Sequence, residues 1–164
     1  MGLPVALRVE APAWRRAFPG APACARRAAR AALDAGGMDS LPAGGVCIVL
    51  ADDSLQRRLN REFRGRDKST NVLSFDGAPG ALGDVVLALE TIAAEAEAQG
   101  KTLAAHVAHL VVHGVLHLMG HDHERPGQAR RKERLEIEIL AGLGIADPYR
   151  ASPPRRRKPG KAGS

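Results

Sequence analysis

Apolar and polar positions alternate with period two where the chain begins: Val5, Leu7 and Val9 predict a half-buried strand. The Ala/Arg-rich stretch CARRAARAALDAGG that follows predicts a helix closed by Gly36 and Gly37. A continuous apolar run, Val46 to Ala51, predicts a second strand. In DDSLQRRLNREFRG the period lengthens. Leu55, Leu59 and Phe63 fall at i, i+4 and i+8 behind possible caps at Asp52 to Ser54, with Gly65 as the stop, which predicts an amphipathic helix with an arginine-rich outer face. STNVLSF and GDVVLAL, joined by a Gly/Pro/Ala loop, predict neighbouring strands, with a hairpin as the simplest arrangement. Three helices complete the pattern: ETIAAEAEAQG ending at Gly100, a histidine-bearing helix capped by Thr102 and ending at Gly120, and a last one near Gln128 to Ala141. The expected domain is α+β or layered α/β, with the histidine helix packed across a sheet.

Composition narrows this picture little. At 164 residues the chain suits one domain with a real core, built from Ala, Leu, Val and Ile because aromatics make up only 3%. Cys24 and Cys47 match no C-x-x-C pattern, which argues against a thiolate metal site or a disulfide framework and for a reducing compartment. Neither a secretory leader nor a membrane-spanning run is predicted, so the expected location is cytoplasmic. Charge is more informative. Residues 150–164 carry six bases and no acid, which leaves eighteen of each sign in residues 1–149, so the whole excess of +6 sits in the tail. We therefore expect a domain over residues 1–149 and a basic, disordered extension over 150–164 that can meet RNA phosphates.

Four of the six histidines lie in HGVLHLMGHDH, His113 to His123. His106, His109, His113 and His117 are spaced three, four and four apart and share one helix face. His113 and His117, one turn apart, can reach one ion, and Gly120 permits the reversal that brings His123 back as a third ligand. Of His106 and His109, one is expected to hydrogen-bond behind the ligands or to pack. His121 can line the site, and Asp122 and Glu124 are expected behind the ligands or at the next helix start. Three imidazoles without a thiolate suit zinc best, one ion per chain, although nickel or copper would also accept them, and three protein ligands leave a coordination position for a zinc-bound water, as in a catalytic site. The spacing is in register with the zinc-peptidase motif H-E-x-x-H-x-x-G-x-x-H, but Gly114 stands where that motif places its glutamate base. Peptide hydrolysis is accordingly the weaker alternative.

Between Arg57 and Lys68 six bases face two acids. Such a run is usually a solvated helix face. Here it ends in a glycine turn leading into a strand, where an arginine beside a metal could clamp a phosphoryl group. An acidic, phosphate-bearing substrate is the favoured partner.

FRGRDKSTNVLSF, LGDVVLAL, AAHVAHLVVHGVLHLMGHDHE and the late ADPY together resemble the YbeY family of bacterial endoribonucleases, in the right order over roughly Val46 to Tyr149. The resemblance implies an α+β fold: a small mixed four-stranded sheet with about five helices around it, one carrying the metal-binding histidines. It also implies a zinc-dependent, single-strand-specific endoribonuclease acting in 3′-end maturation of 16S ribosomal RNA, rRNA processing and ribosome quality control, with ribosomal RNA and the ribosome or its small subunit as partners. By position the zinc ligands fall on His113, His117 and His123, and the functional arginine on Arg64. His109, His121, Asp122, Arg66 and Lys68 are expected around the ligands or at the substrate. The family commonly has Tyr at the place of His121 and Pro at those of Ser69 and Asp76. A non-catalytic ribosome assembly factor with a structural zinc is the alternative from another class. With five aromatic residues in the chain, recognition of RNA is expected to rest on shape and phosphate contacts rather than on stacking.

Overall fold

The structure, a computed structural model, describes residues 2–37, 41–65, 70–121 and 126–150. Four strands and six helices occur among the described residues: β1 (Val5–Val9), α1 (Ala13–Ala17), α2 (Ala21–Ala35), β2 (Val46–Ala51), α3 (Asp53–Arg64), β3 (Val72–Asp76), β4 (Gly83–Ala88), α4 (Leu89–Gln99), α5 (Leu103–Leu118) and α6 (Pro126–Gly142). The sheet order is β1-β2-β4-β3, with β1, β2 and β4 parallel and β3 antiparallel to β4, so the α+β fold with a mixed four-stranded sheet stands. The hairpin expected from STNVLSF and GDVVLAL is the β3–β4 pair.

Period two divides β2 and β4 between two layers. Val46, Ile48, Leu50, Val85 and Leu87 face the main core, where α2 and α5 bring Ala25, Ala29, Ala32, Val107, Val111 and Val115. Small residues on α2 allow α5 to approach closely, which suits a core with few aromatic rings. The other sheet face buries a smaller cluster, Val49, Ala51 and Val86, beneath the half-buried Leu55 and Leu59 of α3 and Phe75 of β3. One side of the sheet is therefore sealed by two long helices, and the other, covered by α3, keeps a groove between that helix and the strands.

Two findings differ from the sequence pattern. Helix α1 is additional: five residues are too few to show a period, yet Trp14 is fully buried and donates its indole N–H to the Ala51 carbonyl at 2.7 Å. In α3 the buried residues are polar. Gln56 and Asn60 are shielded from water, Leu55 and Leu59 are half-buried, and Phe63 is 70% exposed. Gln56 explains the rotation. Its amide donates to the carbonyls of Val86 (3.0 Å) and Asn71 (3.3 Å) and accepts from the Thr70 N–H (2.8 Å). Satisfying three backbone groups at the β3 entrance outweighs burying one more apolar ring. The ends of α3 follow the sequence: Asp52 accepts from the Leu55 N–H at 2.8 Å, and Gly65 closes the helix with φ 67°.

Candidate metal centre

Helix α5 begins where Thr102 accepts from the Ala105 N–H at 3.1 Å, and it runs across the sheet to Leu118. At Gly114 it touches the strands. A Cβ there would lie 2.7 Å from Val85 Cγ1 and 3.1 Å from Ser74 Oγ, and the Ser74 hydroxyl donates to the Gly114 carbonyl at 3.1 Å. The position that a zinc peptidase gives to its glutamate is here the contact between helix and sheet. A carboxylate has no room in it.

The histidine row changes character along α5. His106 is buried, with Nε2 2.8 Å from Glu95 Oε1, and the Asn71 side chain donates to the same oxygen at 3.0 Å. Burial lowers the His106 pKa despite the opposing hydrogen bond and charge of Glu95. His106 is therefore a structural link between α4, α5 and the start of β3. One turn on, His109 points Nε2 at Glu136 Oε1, 2.9 Å away. His113 has Nδ1 3.3 Å from both oxygens of the same carboxylate. The Tyr149 hydroxyl donates to Glu136 Oε1 at 2.8 Å. His117 lies exposed at the end of the row, lining a cavity of about 690 Å³ on the α3 side of the sheet.

Glu136 is the hub of this network, and it comes from α6. Its side chain is wholly buried. Burial alone would raise its pKa, but the hydrogen bonds from His109 and His113, the charge of His113 and the Tyr149 hydroxyl outweigh it and lower it to about 2. Burial and the neighbouring Glu136 charge push the Tyr149 phenol well above its ordinary value, so it remains a donor. Because an ionised carboxylate can only accept, it holds His113 with the proton on Nδ1 and the lone pair on Nε2. That nitrogen lies 3.4 Å from Nζ of Lys132, which is itself buried one turn before Glu136.

One donor atom each from His109, His113 and Glu136 lies within 4.8 Å of the other two. Two imidazoles and a carboxylate form a nitrogen and oxygen set, and this group could hold a metal ion. Cys24 and Cys47 stand outside it, their thiols pushed up by burial.

The other expected site residues divide as follows. Arg64, at the end of α3, donates through Nη2 to the Ser74 carbonyl and sets its guanidinium carbon 4.9 Å from the centre of the Phe75 ring, in the cavity that His117 also lines. His121 directs Nε2 to the Gly36 carbonyl at 2.9 Å, tying the turn after α5 to the end of α2. His123, Asp122, Arg66 and Lys68 lie outside the described residues, as does the tail beyond Arg150. Sequence reasoning missed Glu136 and Lys132 and gave Tyr149 no role. A signal existed: Lys132, Glu136 and Leu140 recur every four residues, so the stripe that buries Leu140 carries two charges inward.

Comparison with known proteins identifies the architecture. The family model described as Endoribonuclease YbeY matches residues 23–144. A Paramagnetospirillum magneticum protein named Endoribonuclease YbeY is 52% identical over 158 residues, spanning 88% of this chain and 94% of the relative. A protein of the same name from Azorhizobium caulinodans is 53% identical over 149 residues, spanning 86% and 92%. The fold is also that of a solution structure from Thermotoga maritima, with TM-score 0.52 and 19% identity over 94% of this chain and all of that one. The chain thus belongs to the Endoribonuclease YbeY family and is an enzyme that cuts RNA.

Proposed function

We propose that the chain is a zinc-dependent, single-strand-specific endoribonuclease that works on ribosomal RNA, in 3′-end maturation of the 16S species and in ribosome quality control. In this reading residues 1–149 are the catalytic unit, residues 150–164 a basic extension, and the ribosome or its small subunit the cytoplasmic partner. The observation that carries the catalytic part is the buried Glu136 carboxylate behind His113. By holding the proton on Nδ1 it leaves the lone pair on Nε2, on the side away from the carboxylate, and such a carboxylate commonly stands behind a zinc-ligating imidazole. His113, His117 and His123 are the assigned ligands, with Glu136, His109 and Tyr149 as the orienting network.

These imidazoles would hold a zinc ion, which when bound would supply Lewis acidity toward a phosphoryl oxygen or an activated water. Arg64 has the complementary task. Its guanidinium, held by the Ser74 carbonyl and the Phe75 ring, is preorganised to meet the negative charge that builds on the phosphoryl oxygens. Asp122, His121, Arg66 and Lys68 are assigned to the surroundings of the ligands or the substrate.

The test is zinc content together with cleavage of single-stranded RNA, for wild type, His117→Ala and Arg64→Ala, each checked for folding by circular dichroism. Expected are one zinc and cleavage in wild type, loss of both in His117→Ala, and zinc without cleavage in Arg64→Ala. Folded, zinc-loaded wild type that cuts no RNA, with or without ribosomes, would overturn the reading. End-group analysis then separates attack by water, which leaves a 5′-phosphate, from attack by the 2′-hydroxyl, which leaves a 2′,3′-cyclic phosphate.

A further inference from the structure

We infer that the groove on the α3 face of the sheet is a nucleobase subsite, in which a base of the RNA beside the cut stacks on Phe63. This deepens the catalytic reading and rests on it, because the groove begins at His117 and Arg64.

Four observations carry the inference. Phe63 is 70% exposed although it sits on a helix that packs against the sheet, so an aromatic face is left open to solvent. Its ring is fixed all the same: it meets Phe75 edge to face, with centroids 5.9 Å apart and planes at 64°. Half-buried Leu55 and Leu59 give the groove an apolar stretch, backed by the buried Val49 and Val86. The charges around it are balanced, Arg8, Arg58 and Arg64 against Glu10, Asp76 and Asp84, and Arg8 is already paired with Glu10 at 2.5 Å.

A strand held by its phosphates alone needs an excess of cations along its path. Among the described residues this groove has no such excess. It offers instead one preorganised guanidinium next to two aromatic rings and an apolar stretch. That combination matches a single nucleotide, with its phosphate toward Arg64 and its base against Phe63 and that stretch. A base has a π-face whatever its identity, so the subsite contributes affinity with little sequence preference. The low aromatic content of the chain does not prevent this, since a single ring at the cut suffices.

The test uses the zinc-loaded full chain and two non-cleavable single strands of equal length, a 2′-O-methyl RNA and its abasic counterpart. Binding is measured for wild type, Phe63→Ala, Phe63→Leu and Phe63→Tyr. Stacking predicts that Phe63→Ala and Phe63→Leu weaken the base-bearing strand by about five- to a hundredfold, that Phe63→Tyr stays near wild type, and that abasic binding is the same in all four. The indole of F63W should be quenched by the base-bearing strand only, against a background of the buried Trp14. Equal weakening of both strands, or of neither, overturns the inference. Binding is read without cleavage, so the two readings fail separately. Wild type that cuts RNA but shows no base-dependent effect at Phe63 sinks the subsite alone. Wild type that cuts nothing while Phe63→Ala still loses only the base-bearing strand supports the subsite and sinks the catalytic assignment.

Discussion

Glu136, itself buried, accepts hydrogen bonds from three side chains, so substitutions there separate charge from shape. Glu136→Ala leaves the donors of His109, His113 and Tyr149 without their acceptor. Loss of an orienting carboxylate is expected to weaken metal binding by about 10- to 100-fold. Glu136→Gln keeps the volume but loses the charge. The carboxyl pKa falls from 4.5 to about 2 on folding, so its contribution to stability is complete above pH 4.5 and is lost as pH drops from there towards 2. Urea midpoints followed across that window should fall more steeply in metal-free wild type than in Glu136→Gln; parallel curves would remove Glu136 from the acid response. Lys132 acts in the other sense. Its Nζ occupies the side of His113 Nε2 that an ion would take, so binding requires it to move. Lys132→Met, similar in length and without a donor, is expected to bind zinc several-fold more tightly in competition with a chelator.

Among the elements, the contact of α5 with β3 and β4 governs the site. Gly114 sets the helix close enough for Ser74 to bond its carbonyl, and that distance fixes where His113 and His117 stand relative to Arg64, whose guanidinium is bonded to the Ser74 carbonyl. Gly114→Ala puts a methyl 2.7 Å from Val85 Cγ1 and is expected to cost about 1–3 kcal/mol in chemical denaturation. Cleavage should fall further than zinc content does, because the displacement separates the arginine from the histidines while leaving the imidazoles one turn apart. Helix α3 contributes the opposite wall. Its Asp52 cap and Gly65 stop are readable in the chain, but its rotation is not. A hydrophobic period assigns Phe63 to the core, whereas the three backbone hydrogen bonds of Gln56 turn it outward. Patterning counts apolar area and cannot count unsatisfied amides at the mouth of a neighbouring strand.

At the scale of the whole molecule, charge and core are kept apart. Residues 1–149 are electrically balanced, and the excess of six positive charges follows Tyr149. Removing residues 150–164 is therefore expected to lower the salt dependence of RNA binding without reducing zinc content, since Tyr149 and its bond to Glu136 are retained. An unchanged slope of log affinity against log salt would take the extension out of RNA binding. No helix among the described residues is long and apolar enough to cross a membrane.

What the sequence determined by itself is whatever local periodicity and spacing encode: the four strands, five of the six helices, the caps of α3 and α5, the shared face of the histidines and the absence of a glutamate at position 114. What only the tertiary structure decided are the relations between distant segments. Glu136 and Lys132 come to His113 from a helix 19 to 23 residues further on, Tyr149 joins from beyond its end, and Phe63 lies open beside Phe75. The physical reason is the same in each case. A helical or strand period ranks side chains by their affinity for water, but a buried charge or an exposed ring is set by partners that the fold brings from elsewhere in the chain.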